Sequence, residues 1–257
     1  MEIYLDNSAT TKVRPEVMDE LIDTYLNNYG NPSSLHRKGF EIEKRINQAR
    51  RLTAKVINAK PEEIFFTSGG TESNNIALIG HLSSVNYESI KNIITTRIEH
   101  PSVYNVFRHF EDKIEVKYLD TDEKGYISNS QLMEQVDEDT ILVSIIFVNN
   151  ELGTVQDLQN IIKTVKNINN KTKIHIDAIQ AFGKLKIDVK KLDVDTISFS
   201  SHKIHGPKGV GGLFVKQGNK INSIFFGGHQ EKGLRPGTEN TPGIIGFGKA
   251  CELVCSN

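Results

Sequence analysis

Tryptophan is missing from this 257-residue chain, and cysteine occurs only twice, at Cys251 and Cys255. Two cysteines cannot build the disulfide framework of a secreted domain, and these two lack the paired CxxC spacing of a zinc site. An excess of either charge is lacking too, since 31 basic and 32 acidic side chains leave a formal net charge of -1. The chain therefore carries no basic footprint for a nucleic-acid backbone or an anionic membrane surface. Its opening, MEIYLDNSATT, has neither the basic stretch nor the apolar core of a signal peptide. The longest apolar run, ILVSIIFV at 141–148, is too short to span a bilayer. Internal repeats, low-complexity tracts and long linkers are also absent. These absences predict a soluble, cytoplasmic protein with no nucleic-acid and no membrane partner.

What is there is an alternation. With 37% hydrophobic residues the chain can bury a sizeable core. Strand-like runs stand at 63–67 (EIFFT), 92–96 (NIITT), 115–119 (EVKYL), 141–148, 173–177 (KIHID), 196–200 (TISFS), 211–216 (GGLFVK) and 223–227 (SIFFG). Helix-period stretches separate them, which predicts an α/β fold, three-layer α/β/α, with a mostly parallel mixed central sheet. The clearest helix covers 37–57, where Ile42, Ile46, Ala49, Leu52, Thr53 and Val56 form one apolar stripe suited to core packing. The Asn/Lys-rich stretch at 166–173 reads as a helix end and surface loop, and the final residues read as the beginning of a helix.

Several strand ends carry chemistry. In FFTSGGTESNN (65–75) a glycine turn opens a helix, so Gly70 and Thr71 could cradle a phosphate or simply form a turn and cap. His100, before Pro101, could stack on a flat ligand, shuttle protons or cap a helix. Asn150 ends the most hydrophobic strand, where ligands bind in open α/β sheets, although turn chemistry explains an Asn-Asn pair equally well. Asp177 ends another strand; it is either a satisfied core aspartate or a carboxylate that meets a cationic ring nitrogen, with Gln180 one helical step further on. Lys203 follows TISFS between His202 and His205 and beside Ser200 and Ser201. A lysine in a polar pocket can form a Schiff base with an aldehyde. Metal binding by the two histidines is disfavoured, because no third ligand is apparent. An amine, a carboxylate, an anion cradle and a flat stacking group together match the needs of pyridoxal 5'-phosphate.

The motifs YLDNSATT, GNPSSLHRKG, FTSGGTESNN, EHPSV, VNNELG, HIDAIQAFGK, SFSSHKIHGPKGVGGL and RPGTEN run in this order from Tyr4 to Asn240. In this the sequence resembles the cysteine desulfurase (NifS-like) branch of the class V aminotransferases, within fold type I of the pyridoxal phosphate enzymes. The resemblance implies catalytic roles for Lys203, as Schiff-base lysine and mover of the substrate's α-proton, and for His100. It implies cofactor contacts from Gly70, Thr71, Ser200 and His202 at the phosphate, Asp177 at the pyridinium nitrogen, Gln180 at the ring hydroxyl, Asn150 as a further amide and His100 against the ring. Thr238 resembles a threonine that reaches the phosphate held by the other subunit, which implies a homodimer. The division implied is an N-terminal segment at 1–15 and a cofactor-binding large domain at 16–257, without the C-terminal small domain. That domain carries the family's sulfur-accepting cysteine and a substrate-binding arginine, and Cys251 and Cys255 do not lie in the cysteine's motif. The implied reaction is L-cysteine to L-alanine with sulfur passed on by a persulfide to an acceptor protein, for iron-sulfur cluster assembly or transfer-RNA thiolation, and poorly performed by this chain alone. Selenocysteine lyase or aminotransferase chemistry on the same fold, a non-catalytic dimerising remnant, and an unrelated phosphate-binding α/β protein are the alternatives.

Overall fold

The computed structural model describes residues 3–85 and 90–256. Its elements, in chain order, are α1 (Pro15–Leu26), α2 (Arg37–Val56), β1 (Ile64–Thr67), α3 (Gly70–Leu82), β2 (Asn92–Thr96), α4 (Pro101–Phe110) and β3 (Glu115–Leu119). They continue with α5 (Asn129–Gln135), β4 (Thr140–Ile146), α6 (Leu158–Ile168), β5 (Lys173–Asp177), β6 (Thr196–Ser200), β7 (Gly211–Val215) and α7 (Thr241–Ser256). One sheet forms in the order β1-β7-β6-β5-β4-β2-β3. Only β7 runs against the rest, pairing antiparallel with both β1 and β6. The other pairs are parallel, so six strands end at one edge. That is the mixed, mostly parallel sheet expected.

Alternation along each strand sorts side chains to two faces. Ile94, Val143, Ile145, Ile174, Ile176, Ile197, Phe199 and Phe214 meet α2, α5, α6 and α7 in the main core. Ile93, Leu142 and Leu213 point the other way and pack under α3 and α4. The α2 stripe behaves as read: Ile42, Ile46, Ala49 and Thr53 are buried, and Leu52 and Val56 pack partly against the core. The final helix exists but starts earlier, at Thr241.

One expected strand does not form. Residues 223–227 are a bend, because the Ser223 hydroxyl donates to Phe225 O (2.7 Å) and Leu234 O (3.0 Å) and accepts from Phe225 N (3.1 Å). Phe226 is fully exposed, and Ile224 of the run packs partly, with Ile221 before it, against Ile76, Ala77 and Leu213. The run at 141–148 likewise leaves the sheet at Ile146. No helix among the described residues is long and apolar enough to cross a membrane.

Candidate active site

A cleft of about 650 Å³ opens at the edge where the parallel strands end, the position at which open α/β sheets bind ligands. The strands β1, β2, β4, β5 and β6 contribute through their ends and the turns that follow them. After β1, Gly69 adopts φ 156° and ψ -177°, a conformation open to glycine, and starts α3. Gly70 and Thr71, in the first turn of α3, line the cleft, and first-turn amides of a helix lack intrahelical partners. A Cβ at Gly70 would lie 2.1 Å from Ile179 Cδ1, so only glycine lets that isoleucine close the cleft wall.

His100 caps α4, and it also lines the cleft. Its Nδ1 accepts from Ser102 N at 3.1 Å and lies 2.8 Å from Ser102 Oγ. Those bonds occupy Nδ1 and place the neutral ring's hydrogen on Nε2. Asn150 reaches the cleft because its neighbour does the turn chemistry. The Asn149 side chain accepts from Glu151 N (2.9 Å) and Leu152 N (2.8 Å) and donates to Ile98 O (2.9 Å).

Asp177, 2% exposed, ends β5. Its carboxylate accepts from Asn74 Nδ2 (2.8 Å) and Ile179 N (3.0 Å). Burial raises its pKa; those donors and the charges of His100 and Lys203 oppose the rise. Beside it Glu99 is buried, and burial together with the charge of Asp177 pushes its carboxyl well above the usual range. Glu99 Oε1 takes Thr96 Oγ1 (3.0 Å) and Ile146 N (2.7 Å), whereas Oε2 meets no partner among the described residues.

β6 ends in a short turn, Ser201–Lys203, that projects the lysine. Lys203 Nζ donates to the carbonyls of Ser8 and Ala9, the latter at 2.9 Å. Burial lowers its pKa, against the pull of Asp6 and Asp177. The N-terminal segment is strapped to this turn. Thr11 N and Oγ1 donate to His202 O (2.9 and 2.8 Å), His205 N donates to Thr11 Oγ1 (2.7 Å), and Gln180 Nε2 donates to Ser8 O (2.8 Å). The two histidines diverge, His202 Nδ1 toward Thr10 Oγ1 (3.2 Å) and His205 Nδ1 toward Lys12 O (2.9 Å). Burial and the neighbouring Lys203 lower the pKa of His202.

Gly70, Thr71, His100, Asn150, Asp177, Gln180, Ser200, His202 and Lys203 all line this cleft. Thr238 does not; it lines a separate, narrower cavity with Ser68, Arg235 and Glu239. Strand-end reading missed Ser8 and Ala9, which reach the site only through tertiary folding. It also missed Asn74 and Ser102, whose bonds (Asn74 Nδ2 to Ser102 Oγ, 2.8 Å) join the Asp177 and His100 sides. A signal for Asn74 was present, a polar residue in the first turns of a helix that follows a glycine turn. Neither cysteine lines the cleft. Cys251 is buried beside Thr53 (3.7 Å), where burial drives its thiol pKa upward, and Cys255 lies exposed in the last turn of α7.

The donor set fits a pyridoxal phosphate. Ser200 Oγ is buried without a partner among the described residues, near Gly70 at the start of α3, and shares the cleft lining with Thr71, as an anion site requires. The same cleft offers a buried carboxylate acceptor, Asp177, and an amine, Lys203.

A model of the family described as aminotransferase class-V matches residues 3–257. The chain is 43% identical over 257 residues to the cysteine desulfurase IscS of Clostridium botulinum (strain Hall), covering all of this chain and 64% of that protein. It thus spans less than two thirds of the curated relatives of this kind. A solved NifS-like protein superposes with TM-score 0.97 at 43% identity, over all of this chain and 70% of that one. A structure titled SspA in complex with cysteine gives 0.93 at 38% identity, over 98% and 72%.

Proposed function

The chain belongs to the class-V aminotransferase family, and from that premise we propose that its cleft binds pyridoxal phosphate and serves a cysteine desulfurase reaction. The observation that carries this reading is the convergence of Lys203, Asp177, His100 and an anion cradle in one cleft. Gly70, Thr71, Ser200 and His202 would hold the phosphate, Asp177 the ring nitrogen, Gln180 the ring hydroxyl, and Asn150 and His100 the remaining edge and face. When bound, the cofactor supplies an electron sink for bond breaking at the Cα and Cβ of an amino acid.

The protein's part is to hold groups and move protons. Asp177, kept from water, stays an acceptor for a cationic partner. Lys203 Nζ, its basicity lowered by burial, leaves the carbonyls of Ser8 and Ala9 to become a nucleophile and then takes the proton from the substrate's Cα. His100, hydrogen on Nε2, is set as a donor at the cleft wall. In the complete reaction the C–S bond of L-cysteine breaks, an acceptor thiol becomes a persulfide, and L-alanine leaves. With no cysteine of this chain in the cleft, the acceptor thiol comes from outside the cleft-lining residues. We assign 16–257 as the cofactor domain, 1–15 as the segment that straps the lysine turn, and a cytoplasmic homodimer as the working form. The separation of Thr238 from this chain's own cleft is compatible with its serving a second copy.

A visible absorbance scan with added pyridoxal phosphate, before and after borohydride, tests this. Wild type should retain label covalently after reduction, mapped to position 203, and Lys203→Ala should retain none. Wild type that stays unlabelled, or labels elsewhere, would overturn the reading.

A further inference from the structure

Under α3 the sheet face is polar where packing calls for apolar groups. His175, Thr196 and Ser198 project there beside Asp177, and each is fully buried. The bonds that join them to α3 have a single consistent set of directions. Asn74 Nδ2 faces Asp177 Oδ2 and Ser102 Oγ, each at 2.8 Å, and a carboxylate can only accept. The amide oxygen of Asn74 therefore faces His175 Nε2, at 3.1 Å, and His175 must carry its hydrogen there. His175 Nδ1, 2.9 Å from Thr196 Oγ1, then accepts the hydroxyl hydrogen, and that oxygen accepts from His81 Nε2 at 3.4 Å. Unpartnered His81 Nδ1 completes a neutral ring.

We propose that His81, Thr196, His175 and Asn74 form a proton-ordered row of positioning residues, every hydrogen aimed toward Asp177, which presents that side chain to the cleft as a fixed carboxylate. Burial depresses both imidazoles, His175 to about 3 and His81 to about 4, so the row delivers aligned dipoles and no net charge. Such a string strengthens its terminal bond in a low-dielectric interior. The charged and titratable groups that face Asp177 from other elements are Glu99, His100 and Lys203; Asp195 and Lys173 act on the His81 end. The purpose of the row rests on the proposed function, since it is the ring nitrogen that needs a fixed carboxylate. Its existence does not.

The test uses the whole chain without added cofactor. Nitrogen-15 spectra should show His175 as the Nε2–H tautomer, unchanged from pH 5 to 9. Carbon-13 spectra, with the Asp177 signal assigned by its loss in Asp177→Asn, should show its carboxyl titrating about 0.2–0.4 pH unit higher in Thr196→Val and His175→Phe, because the Asn74 bond stays and only its strengthening by the row is lost. His175→Gln, whose amide can still donate to Asn74, should return the titration to the wild-type position. Thr196→Val conserves shape and secures a folded variant if His175→Phe fails to fold. An Nδ1–H tautomer at His175, or an Asp177 titration unmoved in Thr196→Val, overturns the row. Pyridoxal phosphate binding by the same samples separates the two ideas: absent binding counts against the functional reading alone, and an unmoved carboxyl in a chain that binds it counts against the row alone.

Discussion

Glu99 and Asp177 place two carboxyls in one dry region, each with two donors, and the charges around them set them apart. Asp177 has two donors plus the fields of His100 and Lys203. Glu99 has its two donors on one oxygen and a neighbouring negative charge. Its folded pKa lies above the ordinary glutamate value of 4.5, so its contribution to stability is complete below that value and is lost as pH rises toward the folded pKa. Each pH unit between the two states is worth about 1.4 kcal/mol. Glu99→Gln, neutral at every pH, should flatten the decline in urea midpoint between pH 5 and 9. Parallel curves for wild type and variant would refute a protonated Glu99. At this scale the sequence was legible where a residue's chemistry depends on its own strand end, as for Asp177 and Lys203. It was silent on Ser8 and Ala9, whose partner Lys203 lies far along the chain, and it marked Asn74 only as a polar residue early in a helix, without its distant partner Asp177.

The turn between β1 and α3 shows how an element sets a site. A Cβ at Gly69 would meet nothing within 4 Å, yet its φ of 156° is one that other residues avoid. Gly69→Ala should therefore cost about 1–3 kcal/mol through backbone conformation and not through a clash, read as a lower denaturation midpoint. It should also weaken pyridoxal phosphate binding, because the first-turn amides of α3 move with residue 69. A variant as stable as wild type would show that the turn relaxes freely. The strand-like runs located β2, β3, β5 and β6 to the residue: KIHID and TISFS alternate with a two-residue period, and NIITT and EVKYL are short stretches rich in β-branched or aromatic residues. The same rule misplaced a strand at 223–227, because an apolar run becomes a strand only if a neighbour's edge is free to pair with it, and Ser223 folds this run back on itself.

Across the molecule, a buried ion pair joins the helical layer, the edge strand and the loop that leads to Thr238. Arg50 of α2 makes two 2.7 Å bonds to Glu231 and one of 2.6 Å to Ile64 O, while Glu231 also accepts from Phe66 N at 3.0 Å. Glu231→Gln should destabilise the chain by about 3 kcal/mol, the low end for a broken buried pair because Arg50 keeps some access to water. A chemical denaturation curve checks this, and a loss below about 1 kcal/mol would mark the pair as an ordinary surface contact. By itself the sequence determined the α/β alternation, the strand ends and the residue types at them, because each follows from local period and turn chemistry. Only the tertiary structure decided which faces are dry. KIHID and TISFS alternate like strands with one wet side, but α3 covers that side, and His175, Thr196 and Asp177 become a buried hydrogen-bonded set. Alternation reports which residues share a face; what lies across from that face depends on a helix about a hundred residues earlier in the chain.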